Sequence, residues 1–149
     1  MAGEIEHEQG ERAAAWAKAI SSLKQWGNAH EKAVLDWIVH EATWFVPLQS
    51  KAPPARIFRY ISEGIHEMGD LHRLTDFRRE HVKPRGRAEA EIHAAATEAD
   101  VAKILKELKV CAVPKGDHGR LEHGAVDGWD RYRKAGIRVW DCVEEHWLW

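Results

Sequence analysis

Apolar positions recur at intervals of three and four through most of the first 109 residues, the spacing of a helix with one buried face. Ala13, Trp16, Ala17, Ile20 and Leu23 mark such a face and predict a helix from about Glu8 to Trp26. Gly27 suits the left-handed position after a helix, and Asn28 with Glu31 three residues on reads as a capping-box-like start. The second helix that follows carries Val34, Trp37, Ile38, Trp44 and Phe45, a stripe wide enough to be covered on more than one side, and ends at Pro47.

Gln49 to Pro53 reads as a short linker, with Pro54 at the first position of a third helix whose buried face is Ile57, Phe58, Ile61, Ile65 and Met68. Gly69 and Asp70 mark a stop and a new cap. Leu71, Leu74 and Phe77 then predict a fourth amphipathic helix that must stop before Pro84. Ala88 to Ala96 is helix-prone, and Thr97 with Asp100 caps a helix whose face is Val101, Ile104, Leu105 and Leu108.

The last forty residues change period. Val110 to Val113 is a short apolar run closed by Pro114, and Lys115 to Gly124 is a Gly-, Asp- and His-rich loop or hairpin tip. Asp127 is placed to cap a short helix through Ala135, closed by Gly136. Ile137, Val139 and Asp141 alternate with Arg138, Trp140 and Cys142, which predicts a strand pairing with Val110 to Val113. The fold expected is mainly α: a compact single-domain bundle of about five or six helices with a small C-terminal β element, spanning residues 1–149, with residues 1–7 a mobile tail.

Composition narrows the classes of partner. The 149 residues carry 22 Lys and Arg against 24 Asp and Glu, a net charge of -2, which excludes the strongly basic non-specific nucleic-acid binders. Two cysteines, Cys111 and Cys142, are too few for a disulfide scaffold, and no apolar leader opens the chain, so a cytoplasmic protein is expected. The most apolar stretch, Ala33 to Leu48, is too short and too often charged to span a bilayer, so no membrane partner is expected. GxSxG, Walker and GxGxxG motifs are absent, and both cysteines stand in apolar runs that favour inert thiols.

Charge is concentrated in one place. Arg73, Arg78, Arg79, Lys83, Arg85 and Arg87 face only Asp76 and Glu80, six cations against two carboxylates, a local excess of +4. Arginine forks match phosphate and carboxylate geometry, so this helix-end and loop segment is a candidate grip on nucleic acid or an acidic protein surface; a solvated helix face is the alternative reading.

A second cluster joins Asp117, His118, Glu122 and His123 inside seven residues. Imidazole and carboxylate are zinc-type ligands, which makes His118, Glu122 and His123 a candidate metal set, although their spacing matches neither HExxH nor HxxEH. His40, His66, Asp70 and His72 would form a further carboxylate–histidine group if the chain turned at Gly69.

Four of the eight tryptophans lie in the last 21 residues. Trp147 and Trp149 are candidate anchors for a partner, and would share one face of a strand, or else dock on their own domain. Thr97 to Lys106 resembles the first helix of a helix-turn-helix, but Val110 to Pro114 reads as extended where a recognition helix should begin.

The leading reading is therefore a small cytoplasmic binding or regulatory protein, without catalysis or cofactor. It engages an acidic protein surface or nucleic acid through Arg73 to Arg87, with Trp147 and Trp149 as anchors and homo-oligomerisation compatible. The alternative is a small metal-dependent hydrolase that uses His118, Glu122 and His123 to hold a divalent transition metal such as zinc.

Overall fold

The computed structural model describes residues 2–25, 29–47, 58–68, 77–121 and 128–149. These residues are mainly helical and form two compact units. One is built from residues 3–48 and 85–108, the other from 49–84 and 109–149.

The first unit is all helical. It contains α1 (Ala2–Lys24), α2 (Ala29–Phe45), α4 (Arg85–Ala94) and α5 (Glu98–Glu107). Ala13, Ala17 and Ile20 of α1, Val39 and Ala42 of α2 with Val46 beyond it, Ala88 and Ile92 of α4, and Val101 and Leu105 of α5 form one buried cluster. The many alanines let the backbones approach closely, as the three-and-four spacing predicts. The helix extends through residues 2–7, where a tail was predicted.

Polar side chains of α1 donate to carbonyls at helix ends that lack intrahelical N–H donors. Arg12 donates from Nε and Nη2 to the Val46 carbonyl at 3.2 and 3.1 Å, just past α2. Lys24 Nζ donates to the carbonyls of His93 and Ala95 at 3.1 and 2.8 Å at the end of α4. Gln9 Nε2 donates to Lys106 and Leu108 at 2.9 Å at the end of α5. Partial burial lowers the Lys24 and Arg12 pKa values below their ordinary ranges, opposed at Arg12 by Glu8. At the start of α5, the capping box predicted for Thr97 and Asp100 is formed.

The second unit is built on a five-stranded sheet of order β2-β3-β1-β4-β5, with β1 (Tyr60–Ser62), β2 (Phe77–His81), β3 (Val110–Pro114), β4 (Val139–Asp141) and β5 (His146–Trp147). Three short helices accompany it: α3 (Glu63–Met68), α6 (Lys115–His118) and α7 (Asp130–Lys134). β1 pairs parallel with β3 and antiparallel with β4, while β2 with β3 and β4 with β5 are antiparallel.

This sheet is larger than the small C-terminal element expected from sequence. The residues read as a third helix form β1 and the short α3, and the end of the segment read as a fourth helix is β2. Tyr60, Ile61 and Ser62 are buried in succession, so β1 has no alternation to read. β2 begins with three polar or half-exposed positions, Phe77, Arg78 and Arg79, and draws its order from five residue pairs with β3. The predicted pairing of the 139 region with 110–113 is also corrected, because β1 lies between β3 and β4.

Candidate functional site

Sheet register puts Tyr60, Cys111 and Glu80 abreast on one face, with Val113 two residues along β3 and Val139 two along β4. That face is covered by Leu121, Tyr132 and Ile137, with Trp129, Leu148 and Trp149 packed around them. Glu80 is thereby carried into an apolar setting, where a carboxylate must find partners.

Two short helices supply them. His118, at the end of α6, brings Nδ1 against Glu80 Oε1. Arg131, in α7 and fully buried, donates from Nη1 to the His81 carbonyl at 3.0 Å, and its Nη2 lies 3.8 Å from Glu80 Oε2. Gly128 and Gly136 flank α7 with φ of 63° and 67°, the left-handed conformation that glycine adopts without a Cβ penalty. Closing after Gly136 lets the Ile137 amide return to the Tyr132 carbonyl at 2.9 Å, which sets the length of α7 and the position of Arg131.

The chemistry follows from burial. A carboxylate against Nδ1 fixes an imidazole's orientation, and His118 is half-exposed, the arrangement of an oriented acid–base group. Burial pushes the Cys111 thiol and the neighbouring Tyr132 hydroxyl well above their ordinary pKa values, so both stay protonated near neutrality and neither is a ready nucleophile. Cys142 is pushed up to about 11 by burial and by Asp141.

Of the predicted metal residues, His118 closes α6 inside the stretch read as a loop, while Glu122 and His123 lie outside the described residues. Among the described residues no three His, Cys, Asp or Glu side chains stand together as metal ligands. The predicted histidine group is dispersed: His66 rests on Trp140 and Trp147 at 4.8 and 4.9 Å between ring centroids, and His40 faces Glu89. Asp70 and His72 lie outside the described residues.

The basic segment is not a single helix end. Arg73 lies outside the described residues. Arg78 and Arg79 are exposed on β2 and, as strand neighbours, point to opposite faces. Lys83 is half-buried beyond β2, in the sheet unit, whereas Arg85 and Arg87 open α4 in the helical unit. Arg85 pairs with Glu89 at 3.3 Å and lies 5.2 Å over the Trp44 ring; Arg87 is exposed.

Trp147 and Trp149 are both half-buried against their own unit, in different groups. Trp147 pairs across strands with Trp140 at 5.2 Å and lies under Arg138 at 4.2 Å. Trp149, past the end of β5, packs 6.0 Å from Trp129 and under Arg133 at 4.6 Å, while the Leu148 amide bonds to the Val139 carbonyl.

Sequence reasoning missed Glu80 as a buried centre and Arg131 as its cation. A charged residue one position before a strand end carries no local signal of long-range burial. It also missed Asp141, which pairs with Arg59 at 3.0 Å and accepts the amides of Val143 and Glu144 at 2.9 and 3.1 Å, ordering the turn between β4 and β5. The helix-turn-helix resemblance ends at α5, since β3 follows it directly. No helix among the described residues is long and apolar enough to cross a membrane. No protein-family model matches the chain, and no curated protein or solved structure matches it significantly.

Proposed function

We propose that this is a small binding or regulatory protein that engages an anionic partner, an acidic protein surface or nucleic acid, through the basic segment from Arg73 to Arg87. The observation that carries the reading is the exposure of Arg78 and Arg79 on β2, supported by exposed Arg87 at the start of α4. Arginine forks match phosphate and carboxylate geometry, and Arg78 and Arg79, on opposite faces of β2, would each grip one such group. A cytoplasmic setting and homo-oligomer formation belong to the same proposal.

The test is binding of a single-stranded oligonucleotide and of an acidic peptide, followed by fluorescence anisotropy across a salt series. Substituting Arg78, Arg79 and Arg87 by Ala should weaken binding and flatten its salt dependence while leaving the melting temperature nearly unchanged, because exposed ion pairs contribute about 0–1 kcal/mol each. Binding unchanged by the three substitutions refutes the reading.

A second reading, a small metal-dependent hydrolase, is favoured by the contact between Glu80 and His118, which supplies an oriented imidazole beside a carboxylate. Its test is hydrolysis of activated esters with and without added zinc, which His118→Gln should abolish if the imidazole acts there.

A further inference from the structure

Arg78 and Glu80 stand two residues apart on β2 and so share one face of the sheet, about 7 Å apart along the strand, while Arg79 between them points to the other face. His118 of α6 meets Glu80 on that shared face. Its Nδ1 is engaged by Glu80 Oε1, and its side chain is 41% exposed against 11% for Glu80. With Nδ1 so engaged, proton transfer falls to Nε2, on a ring that a substrate can reach. Arg131, whose side chain is 1% exposed, lies 3.8 Å from Glu80 Oε2 and balances the buried charge from the other side.

Two parts of a group-transfer site are therefore neighbours: an oriented base and, on the same face, an exposed guanidinium able to hold an anion. Ser62, Cys111 and Tyr132 on this side of the sheet are each fully buried, so they do not supply a nucleophile. The nucleophile then comes from solvent, as a hydrolase would use it, or from the substrate itself. An anion held by Arg78 favours a substrate that carries a hydroxyl next to its charge, because holding the anion then also places the hydroxyl beside Nε2. RNA has this arrangement at each internal phosphate, with the 2′-hydroxyl on the neighbouring ribose carbon.

We propose that Arg78, His118 and Glu80 form a site that cleaves single-stranded RNA by transesterification. The proposal rests on the anion-binding reading, of which it makes RNA the partner. Arg78 holds a non-bridging phosphate oxygen. His118 Nε2 takes the proton of the adjacent 2′-hydroxyl, the 2′-oxygen bonds to phosphorus, and the P–O5′ bond breaks with its electron pair going to the 5′-oxygen. The imidazolium returns the proton through solvent to that oxygen, so the products are a 2′,3′-cyclic phosphate and a 5′-hydroxyl and no other reactant is consumed. Glu80 is a positioning residue: it accepts the Nδ1 proton's hydrogen bond, which fixes the tautomer with Nε2 as the base and steadies the imidazolium. A paired helix holds the 2′-oxygen out of line with the leaving 5′-oxygen, which makes an unpaired strand the substrate.

The full-length protein, in excess and with a metal chelator present, is mixed with a labelled single-stranded RNA and with the same strand made of 2′-deoxynucleotides. Binding is followed by anisotropy and cleavage by gel. The expected result is that both strands bind and only the RNA is cut, leaving ends with a 2′,3′-cyclic phosphate. His118→Gln should slow the cut at saturation by at least about 100-fold with binding retained, as loss of a general base does. Arg78→Ala should weaken binding and slow the cut by at least about 10-fold, as loss of an anion-stabilising donor does. Glu80→Gln, checked for a native circular dichroism spectrum, should slow the cut without weakening binding, and free imidazole should restore part of the rate to His118→Gly, which separates a lost base from a lost fold. RNA bound but left uncut overturns the proposal and leaves the anion-binding reading standing, whereas binding of neither strand overturns it together with nucleic acid as the partner. Cleavage that requires added zinc, or that extends to the deoxy strand, overturns it in favour of the hydrolase reading. An unchanged rate in His118→Gln marks a co-purifying nuclease and overturns it as well.

Discussion

Replacing Arg131 by Met tests the buried network of the sheet unit most directly. Methionine fills much of the same volume with a flexible apolar chain, so the cavity contribution is small and the electrostatic loss dominates. The main interactions that disappear are the hydrogen bond from Nη1 to the His81 carbonyl at 3.0 Å, with a longer one to the Val82 carbonyl at 3.5 Å, and the cation 3.8 Å from Glu80 Oε2. A hydrogen bond involving a charged group contributes about 1.5–3 kcal/mol, and removing one partner of a buried ion pair costs about 3–5 kcal/mol in total. Glu80 is 8% exposed, so little water reaches the carboxylate left behind, but the 3.8 Å separation makes the ion pair itself long. The expected loss is therefore at the lower end, about 3 kcal/mol. Urea unfolding followed by tryptophan fluorescence measures it, because Trp129, Trp140, Trp147 and Trp149 all lie in the same unit. Glu80→Gln combined with Arg131→Met should recover part of the loss, with a coupling energy above about 0.5 kcal/mol. A cost below about 1 kcal/mol for Arg131→Met, or strict additivity in the double variant, would refute the argument.

Three further outcomes are expected. Thr97→Ala removes a hydroxyl that accepts the Asp100 amide at 3.1 Å and should cost about 0.5–2 kcal/mol in denaturant titrations, with Thr97→Ser close to the parent. Trp149→Ala removes a half-buried ring from Trp129 and Arg133 and should cost roughly 1–3 kcal/mol, below the 3–5 kcal/mol of a fully buried aromatic; an unchanged midpoint would show that the ring does not support the fold. Because the folded chain holds the Cys142 proton up to about 11 against an ordinary 9.0, its contribution to stability is full below pH 9 and is lost as pH rises through about 11. Iodoacetamide should accordingly label Cys142 far more slowly at pH 9 in the native protein than in urea, and equal rates would contradict the assignment.

The helical unit was legible because its determinants are local. Thr97 and Asp100 announce a cap, and Val101 and Leu105 announce a face, within a single turn of chain. The sheet was only half legible. Val110 to Val113 and Val139 to Asp141 were read as strands, but β1 and β2 were not, since their order comes from partners 29 to 81 residues away, as in His81 with Val110 at 29 and Tyr60 with Asp141 at 81. The candidate site followed the same division. The basic residues were visible as a charge run, whereas their division between a strand and the next helix, and the meeting of Glu80 with His118 and Arg131, depend on pairings that no window of sequence contains.

Each compact unit is assembled from two separated stretches, so the chain passes from one unit to the other three times. During vectorial synthesis α1 and α2 must wait for α4 and α5, and the carbonyls that Gln9 meets at Leu108 appear 99 residues after it. The helical unit can close once residue 108 has emerged. The sheet cannot: β1 lacks β4 until residue 141 is made, and parallel pairing of β1 with β3 must first close a loop of about fifty residues. Folding should therefore pass through a species with the helices closed and the sheet still open, exposing the backbone of β1 to any neighbouring chain in the same state. The late closure of β4 over β1 ends that exposure, which makes the rate of this step, more than final stability, the determinant of whether the newly made chain escapes aggregation long enough to fold.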